Sequence, residues 1–325
     1  MKNWIARWLG GAAPSAPAGA APAVTLATDA PAAEPVHPCV LDAAFWRWLT
    51  QDVAGEPPEA LRERALAELA RLRDAPDSAA GLVPRVPEVI PGLLRSLRDE
   101  SVSAAELARQ VARDAALVAE TIREANSSFY RPATPVRSID AAVMVLGLNG
   151  LRMLLARAAF RPVIGSGAGP CARLVAPRTW QHSEHCARAA ALLAPGLGAD
   201  PFEAYLAGLM HDVGLVVALR LFDRVLEGPA VPQDVAFAGA ALAGARELSA
   251  GIAQHWELPA PVGAAIVRAG RAGTQPLAEA LGRAVHLARL RLLYDAGALA
   301  PDDARLAALP PLQAEAFARL GQADG

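Results

Sequence analysis

An adjacent histidine and aspartate interrupt an otherwise apolar run of this chain. Residues 207–214 read AGLMHDVG, and the pair is His211 and Asp212. Imidazole and carboxylate are ligands for divalent metals, and burying both without a partner costs several kcal/mol. The pair therefore predicts a metal centre or the remains of one. In a purely structural alternative, Asp212 caps the following helix and His211 bonds a backbone carbonyl.

A metal centre would require further ligands elsewhere in the sequence. A single divalent ion needs about three protein groups, and a two-metal phosphohydrolase site needs about five. His182 and His185 lie on one predicted helix at a spacing that places them on one face, where both could reach one site. A histidine pair near a helix start is more often a cap or a surface feature than a ligand pair. Of the two, His182 is the stronger ligand candidate. His37 lies in a predicted linker, His255 at a helix end, and His286 among arginines, so we expect none of these to be a ligand.

Five arginines occupy a stretch without acidic residues. Between Asp140 and Glu184 the chain carries Arg152, Arg157, Arg161, Arg173 and Arg178. Guanidinium groups match phosphate and carboxylate geometry, so the stretch could bind a phosphate-bearing ligand or an acidic partner. The alternative is a set of separate arginines on solvated helix faces.

Composition excludes several functional classes. There are 31 Lys and Arg against 33 Asp and Glu, a net charge of −2, which gives no general attraction to nucleic acid or membrane. The three cysteines show no paired spacing, so neither disulfides nor a structural zinc site is expected and a reducing cytoplasm is the default. Because no uninterrupted apolar run reaches about 18 residues, no transmembrane segment is expected.

Abundant alanine and few β-branched or aromatic residues predict an all-α protein. Residues 1–40 form a predicted disordered leader, in which residues 1–9 are either a short amphipathic hook for a partner or membrane, or a frayed start. Residues 10–38 have a linker composition. Residues 41–80 form a predicted N-terminal helical segment, with a helix over 58–73 and a break before the main body.

The main body shows helical periodicity, and no segment alternates like a strand. A capping box at Ser103 and Glu106 opens one helix. The periodicity predicts further helices over 115–126, 138–146, 149–160, 179–193, 201–210, 215–226, 245–256, 259–268 and 276–294.

Several sequence blocks occur in a familiar order. They are LVPRVPEV at 82–89, ANSSFY at 125–130, SIDAAVMVLG at 138–147, AYLAGLMHDVG at 204–214 and HWELP at 255–259. Together they resemble the HDOD domain, the HD-related output domain of bacterial signalling proteins, over residues 82–292. Residues 293–325 would then be a C-terminal helical tail. The resemblance implies an HD-like multi-helix bundle related to the HD and HD-GYP phosphohydrolases, with a regulatory, protein-interacting role.

The resemblance also identifies which ligand positions this chain keeps. His182 stands at the first ligand position, and His211 with Asp212 at the second. The family comparison places non-ligands at the other positions: Ala245, the run Arg268, Ala269 and Gly270, and Arg289 in place of a closing aspartate. Three retained groups could hold one metal at best, and an arginine would repel it. We therefore expect no catalytic residue, no cofactor and no bound metal, with His182, His211 and Asp212 as vestigial ligands.

Three functional hypotheses follow. The first is a cytoplasmic, non-enzymatic bacterial signalling protein that binds a protein partner, whose identity the sequence does not reveal. The second is a residual phosphohydrolase acting through His182, His211 and Asp212. The third is a sensor that binds a cyclic dinucleotide or similar second messenger without cleaving it, with the arginines from Arg152 to Arg178 as its phosphate-binding surface.

Overall fold

The protein is helical throughout the part that can be described. The computed structural model describes residues 38–74, 82, 108–109, 111–112, 115–127, 130, 132–165, 169–273 and 275–322. Within these ranges no strand forms beyond an isolated bridge between Ala54 and Val231. The helices are α1 (Pro38–Thr50), α2 (Glu59–Asp74), α3 (Ala115–Ala125), α4 (Ile139–Gly165), α5 (Pro170–Leu197), α6 (Pro201–Met210), α7 (Val213–Val225), α8 (Val235–His255), α9 (Ala260–Arg268), α10 (Pro276–Asp295), α11 (Ala304–Ala307) and α12 (Pro311–Leu320), with a 3₁₀ turn at Gln51–Val53. The predicted all-α class is confirmed.

Helix α5 is central to the bundle and packs against α6, α7, α10 and α4. Its approach to α6 is close because Gly208 has no side chain. A Cβ at Gly208 would lie 2.5 Å from the backbone nitrogen of Ala187. This close crossing brings the end of α6 beside the middle of α5, where the candidate site forms.

Three predicted helix boundaries are wrong. The helices expected at 138–146 and 149–160 are one element, α4, which bends at Gly147 with φ +64°. Helix α5 begins at Pro170 rather than 179 and continues through Pro177. Helix α8 begins at Val235 rather than 245. Residues 1–37 of the predicted leader and linker, and the Ser103 cap, lie outside the described residues. The leader prediction is wrong for residues 38–40, because α1 begins at Pro38.

The terminal segments share the core of the main body. Phe45, Trp46 and Leu49 of α1 are fully buried in the same apolar cluster as α5 to α10, and Leu320 of α12 joins it. The Trp46 indole also donates a 2.8 Å hydrogen bond to the carbonyl of Pro232. The division into segments 41–80, 82–292 and 293–325 stays a sequence prediction, but the described parts of all three contribute to the same main core.

Three helical stretches are long and apolar enough to cross a membrane, judged by length and composition. They are Ile139–Gly165, Pro201–Val225 and Val235–His255. The expectation of no spanning segment used a stricter criterion, an apolar run without charges. In the protein, 94% of the apolar window of Pro201–Val225 is buried against other helices, so packing accounts for its hydrophobicity.

Candidate functional site

His211 and Asp212 form the junction between α6 and α7, which α8 holds in place. The Ser249 hydroxyl donates a 2.7 Å hydrogen bond to the carbonyl of His211 and accepts one of 2.8 Å from the amide of Gly214. A Cβ at Gly214 would lie 2.1 Å from the carbonyl oxygen of Ala245. Glycine is therefore required here for α7 to pack on α8, and this packing fixes the direction of the His-Asp pair.

The Asp212 carboxylate is the centre of a buried hydrogen-bond network. Its Oδ2 lies 2.7 Å from Nδ1 of His182 and accepts a 2.8 Å bond from the Ser183 hydroxyl. Its Oδ1 lies 3.1 Å from Nδ1 of His211. The structural alternative from the sequence is therefore wrong: Asp212 makes no side-chain capping bond to α7, and the His211 ring contacts a carboxylate rather than a carbonyl.

Burial and hydrogen bonding set the protonation of this network. Burial lowers the pKa of His182, which favours the neutral ring. Burial would raise the pKa of Asp212, but its electrostatic interactions and hydrogen bonds with the His182 and His211 rings outweigh this and hold that pKa far below its usual value. Burial also raises the pKa of the Cys186 thiol well above its ordinary range. Neutral His182 therefore donates from Nδ1 to ionised Asp212, and its Nε2 accepts from the thiol 3.4 Å away.

The donor set does not fit a divalent ion. His182, Cys186 and Asp212 offer ligand atoms within 4.8 Å of one another, the one such group found among the described residues. However, both ring nitrogens of His182 and both oxygens of Asp212 already have hydrogen-bond partners among the protein groups. The positive charge of Arg289 also lies close enough to lower the pKa of His182.

Helix α1 closes the site from the N-terminal side. The ring of Phe45 lies 4.3 Å from that of His182, centroid to centroid, and the Arg289 guanidinium lies 4.7 Å over the same phenyl ring. Arg289 also forms an ion pair with Asp42. Sequence reasoning missed Phe45, Asp42, Ser183 and Cys186. Only Cys186 had a local signal, its position one helical turn after His182.

The second predicted histidine, His185, contacts the backbone of its own helix. Nδ1 of His185 lies 2.9 Å from the carbonyl of Gln181, on its own helix. A shared site of His182 and His185 stays a prediction.

The five predicted arginines have different surroundings. Arg157 forms ion pairs with Glu124 at 3.1 Å and Glu184 at 2.6 Å, and Arg178 pairs with Asp52 at 2.6 Å. Arginines of the acid-free stretch thus form ion pairs with carboxylates, most of which come from other parts of the chain. Arg161 and Arg173 are exposed and Arg152 is half-buried. A partner-binding role for the five arginines stays a prediction.

Comparison with known families places the chain. Residues 83–271 match the family model of the HDOD domain, which is more than half of the 325 residues. The chain belongs to the HDOD domain family.

Relatives with solved structures share this fold. An HDOD domain protein of unknown function from Geobacter sulfurreducens superposes with a TM-score of 0.55 and 26% identity, covering 79% of this chain and 89% of that one. A Shewanella amazonensis protein, provisionally named a metal-dependent phosphohydrolase, has a TM-score of 0.57 and 18% identity, covering 80% and 98%. A Marinobacter aquaeolei protein, provisionally named for signal transduction, has a TM-score of 0.50 and 22% identity, covering 85% and 66%.

A curated relative is an uncharacterized protein of Treponema pallidum. It is 26% identical over 189 residues, which are 55% of this chain and 36% of the relative. The chain thus spans about a third of the length of the curated relative it matches.

Proposed function

We propose that this chain is a non-enzymatic, cytoplasmic regulatory protein of bacterial signal transduction, and that its HDOD domain acts by binding a protein partner. The observation that carries the proposal is the closed network around Asp212. Both carboxylate oxygens accept hydrogen bonds from protein groups, and a guanidinium lies beside the network. A divalent ion would have to break these bonds and overcome that positive charge.

The names of the relatives are compatible with signalling or with metal-dependent hydrolysis. The arrangement of His182, Cys186 and Asp212 favours signalling. The Marinobacter aquaeolei relative is named for signalling, while the Shewanella amazonensis relative is named for metal-dependent hydrolysis. A hydrolase of the second kind needs metal ligands with open coordination positions. Because His182 and Asp212 bond each other directly, the signalling assignment suits this chain better.

Metal loading tests the non-enzymatic part of the proposal. The purified full chain is exposed to manganese, iron and zinc, desalted, and measured by elemental mass spectrometry and by hydrolysis of bis(4-nitrophenyl) phosphate. We expect less than about a tenth of an equivalent of metal and no turnover above buffer. About one equivalent that is lost in Asp212→Asn but kept in Asp52→Asn, a control at an exposed carboxylate, would contradict the proposal.

Apolar surface on α4 supports a protein partner. Met144 is 87% exposed and Val145 is 36% exposed, close to the bend at Gly147. Contiguous exposed apolar patches mark interaction surfaces, and Met144 and Val145 are adjacent in the chain. This surface offers a place for the partner contact that the proposal requires.

A charge at Met144 tests that contact. Because the side chain is exposed, Met144→Glu should leave the free energy of unfolding within about 0.5 kcal/mol of wild type. It should also abolish cross-linking in cells from a photoreactive residue at Val145. Leu174→Glu is the control, since Leu174 is also exposed but lies on α5. Unchanged cross-linking in Met144→Glu, or equal loss in the control, would exclude α4 as the contact.

A further inference from the structure

A cavity of about 350 Å³ is lined in part by His211, the member of the Asp212 network that faces it. Residues from α1, α8, the α9–α10 loop, α10 and α11 line it. Its charged or titratable lining residues are Asp42, His211, Arg246, Arg271, His286, Arg289 and Arg305. Pockets for small ligands have volumes of about 300–1,000 Å³, so the cavity is large enough for a small molecule.

The cavity carries more positive than negative charge. Asp42 pairs with Arg289, and Asp303 pairs with Arg305 through two bonds of 2.8 and 2.6 Å. Among the described residues, no carboxylate lies within ion-pair distance of Arg246 or Arg271. Two guanidinium groups of one concave site therefore make no ion pair within the described part of the chain.

Several hydrogen-bond donors in the cavity wall are also unused. Arg289 is 7% exposed, and its Nε has no acceptor within the described part of the chain. Arg246 uses one nitrogen to donate a 3.1 Å bond to the carbonyl of Ala269. Guanidinium groups present five donors in a planar fork, so each of these side chains can bond an additional oxygen.

Burial and repulsion among the positive groups of the cavity lower the pKa values of Arg246 and His286. Burial lowers the pKa of Arg246, and the charges of Arg289 and Arg271 lower it further. Desolvation, Arg289 and Arg305 all lower the pKa of His286, so this ring is neutral at pH 7 and can donate one hydrogen bond. An anion in the cavity would relieve this repulsion.

We propose that this cavity binds the phosphate group of a small phosphorylated molecule, with Arg246 and Arg271 as its principal ligands. A phosphate monoester carries a charge of about −1.5 to −2 at pH 7, which matches the two guanidinium groups that make no ion pair among the described residues. Arg289 and Arg305 are each fixed in position by an ion pair with an aspartate, and their guanidinium groups add positive charge to the cavity wall. A carboxylate has half that charge and fewer oxygens, so it fills the site less well.

The ligand would act as an input to the protein. His211 lines the cavity and also contacts Asp212, so occupancy of the cavity bears directly on the buried network. This inference goes beyond the proposed function and stands whether or not the output is a protein contact.

Calorimetric titration of the full chain tests the site. The probes are inorganic phosphate, a nucleoside monophosphate and a cyclic dinucleotide, with acetate at equal ionic strength as the reference anion. We expect binding of at least one phosphate probe with a stoichiometry of about one and no heat from acetate. The tightest probe identifies the source: free phosphate, a monoester or a diester.

Single substitutions locate the binding. Arg271→Gln, at an exposed position that folding does not depend on, and Arg246→Gln should each weaken binding at least about tenfold. Arg283→Gln is the matched control, since Arg283 lies on α10 outside the cavity lining and pairs with Glu279. It should bind as wild type does.

Two results would overturn the site. One is the absence of heat from all three phosphate probes, and the other is unchanged affinity in both Arg271→Gln and Arg246→Gln. Cleavage of a bound probe during the titration is a separate outcome. It would contradict the non-enzymatic function while supporting the site, so the two proposals fail independently.

Discussion

Replacing Phe45 with alanine tests whether α1 is an integral wall of the His-Asp site. The ring is fully buried, lies 4.3 Å from His182 and carries the Arg289 guanidinium 4.7 Å above it. Truncating a buried phenylalanine costs about 4 kcal/mol through lost transfer energy and the cavity left behind. Losing a desolvated cation–π contact adds about 1 kcal/mol. The free energy of unfolding should therefore fall by about 5 kcal/mol, a large part of the stability of an ordinary domain.

Urea unfolding of the full chain, followed by tryptophan fluorescence, measures this change. Phe317→Ala removes the same atoms from α12, where the ring is half-buried and lies 4.9 Å from the Arg291 guanidinium. This control should lose about 2 kcal/mol. Phe45→Leu should lose about 1 kcal/mol and stays measurable if the alanine variant does not fold. Equal losses in the two alanine variants would refute the reasoning, because α1 would then be no more part of the core than the C-terminal helix.

Three further predictions concern single positions. Arg157→Glu places a carboxylate among glutamates and should lower the free energy of unfolding in urea by about 3 kcal/mol. Exposed Arg161→Glu should change it by about 0.5 kcal/mol at most, and equal effects would contradict the ion-pair assignment. Gly214→Ala should lower the free energy of unfolding by about 3 kcal/mol, because the alanine Cβ would lie 2.1 Å from a carbonyl oxygen. Gly239→Ala, with open space around it, should gain about 0.5 kcal/mol, and an unaffected Gly214→Ala would refute the close packing. Because burial lowers the pKa of His182, the unfolded state takes up a proton near pH 6.5 that the native state does not. The contribution of His182 to the free energy of unfolding is therefore complete above that pH and falls by about 1.4 kcal/mol by about pH 5.5. A His182→Gln variant should lack this loss, and the same pH dependence of stability as in the wild type would contradict the prediction.

Helix class and some boundaries could be predicted from the sequence because they depend on local chemistry. Helix α6 was predicted at its observed limits, since Pro201 suits a first turn and the side chain of Asp200 caps it by accepting a 2.8 Å bond from Glu203. The predicted starts of α5 and α8 were wrong, and both helices continue through residues that are unfavourable in a helix, such as Pro177 and Gly239. Burial of the surrounding helix outweighs the local cost of a proline or glycine, and periodicity alone does not measure burial.

The site was predictable only in part, for a related reason. The sequence singled out His182, His211 and Asp212, and the structure brings them into one network. No local sequence pattern indicated Phe45 and Asp42, which reach the site from a distant part of the sequence. Such contacts follow from how α1 packs on α10 and α5, and a single sequence carries no record of this packing.

Arg289 bears on both proposals, the absence of a bound metal and the binding of phosphate. A divalent metal and a guanidinium both attract a phosphate group, but only a metal lowers the pKa of a bound water enough to produce a nucleophile. A single arginine near His182 can thus oppose metal binding and still attract the anion that a metal would have held. The same residue is buried and paired with Asp42, whereas Arg271 is exposed. Arg289→Met should therefore lose stability and phosphate affinity together, and Arg271→Gln should lose affinity alone.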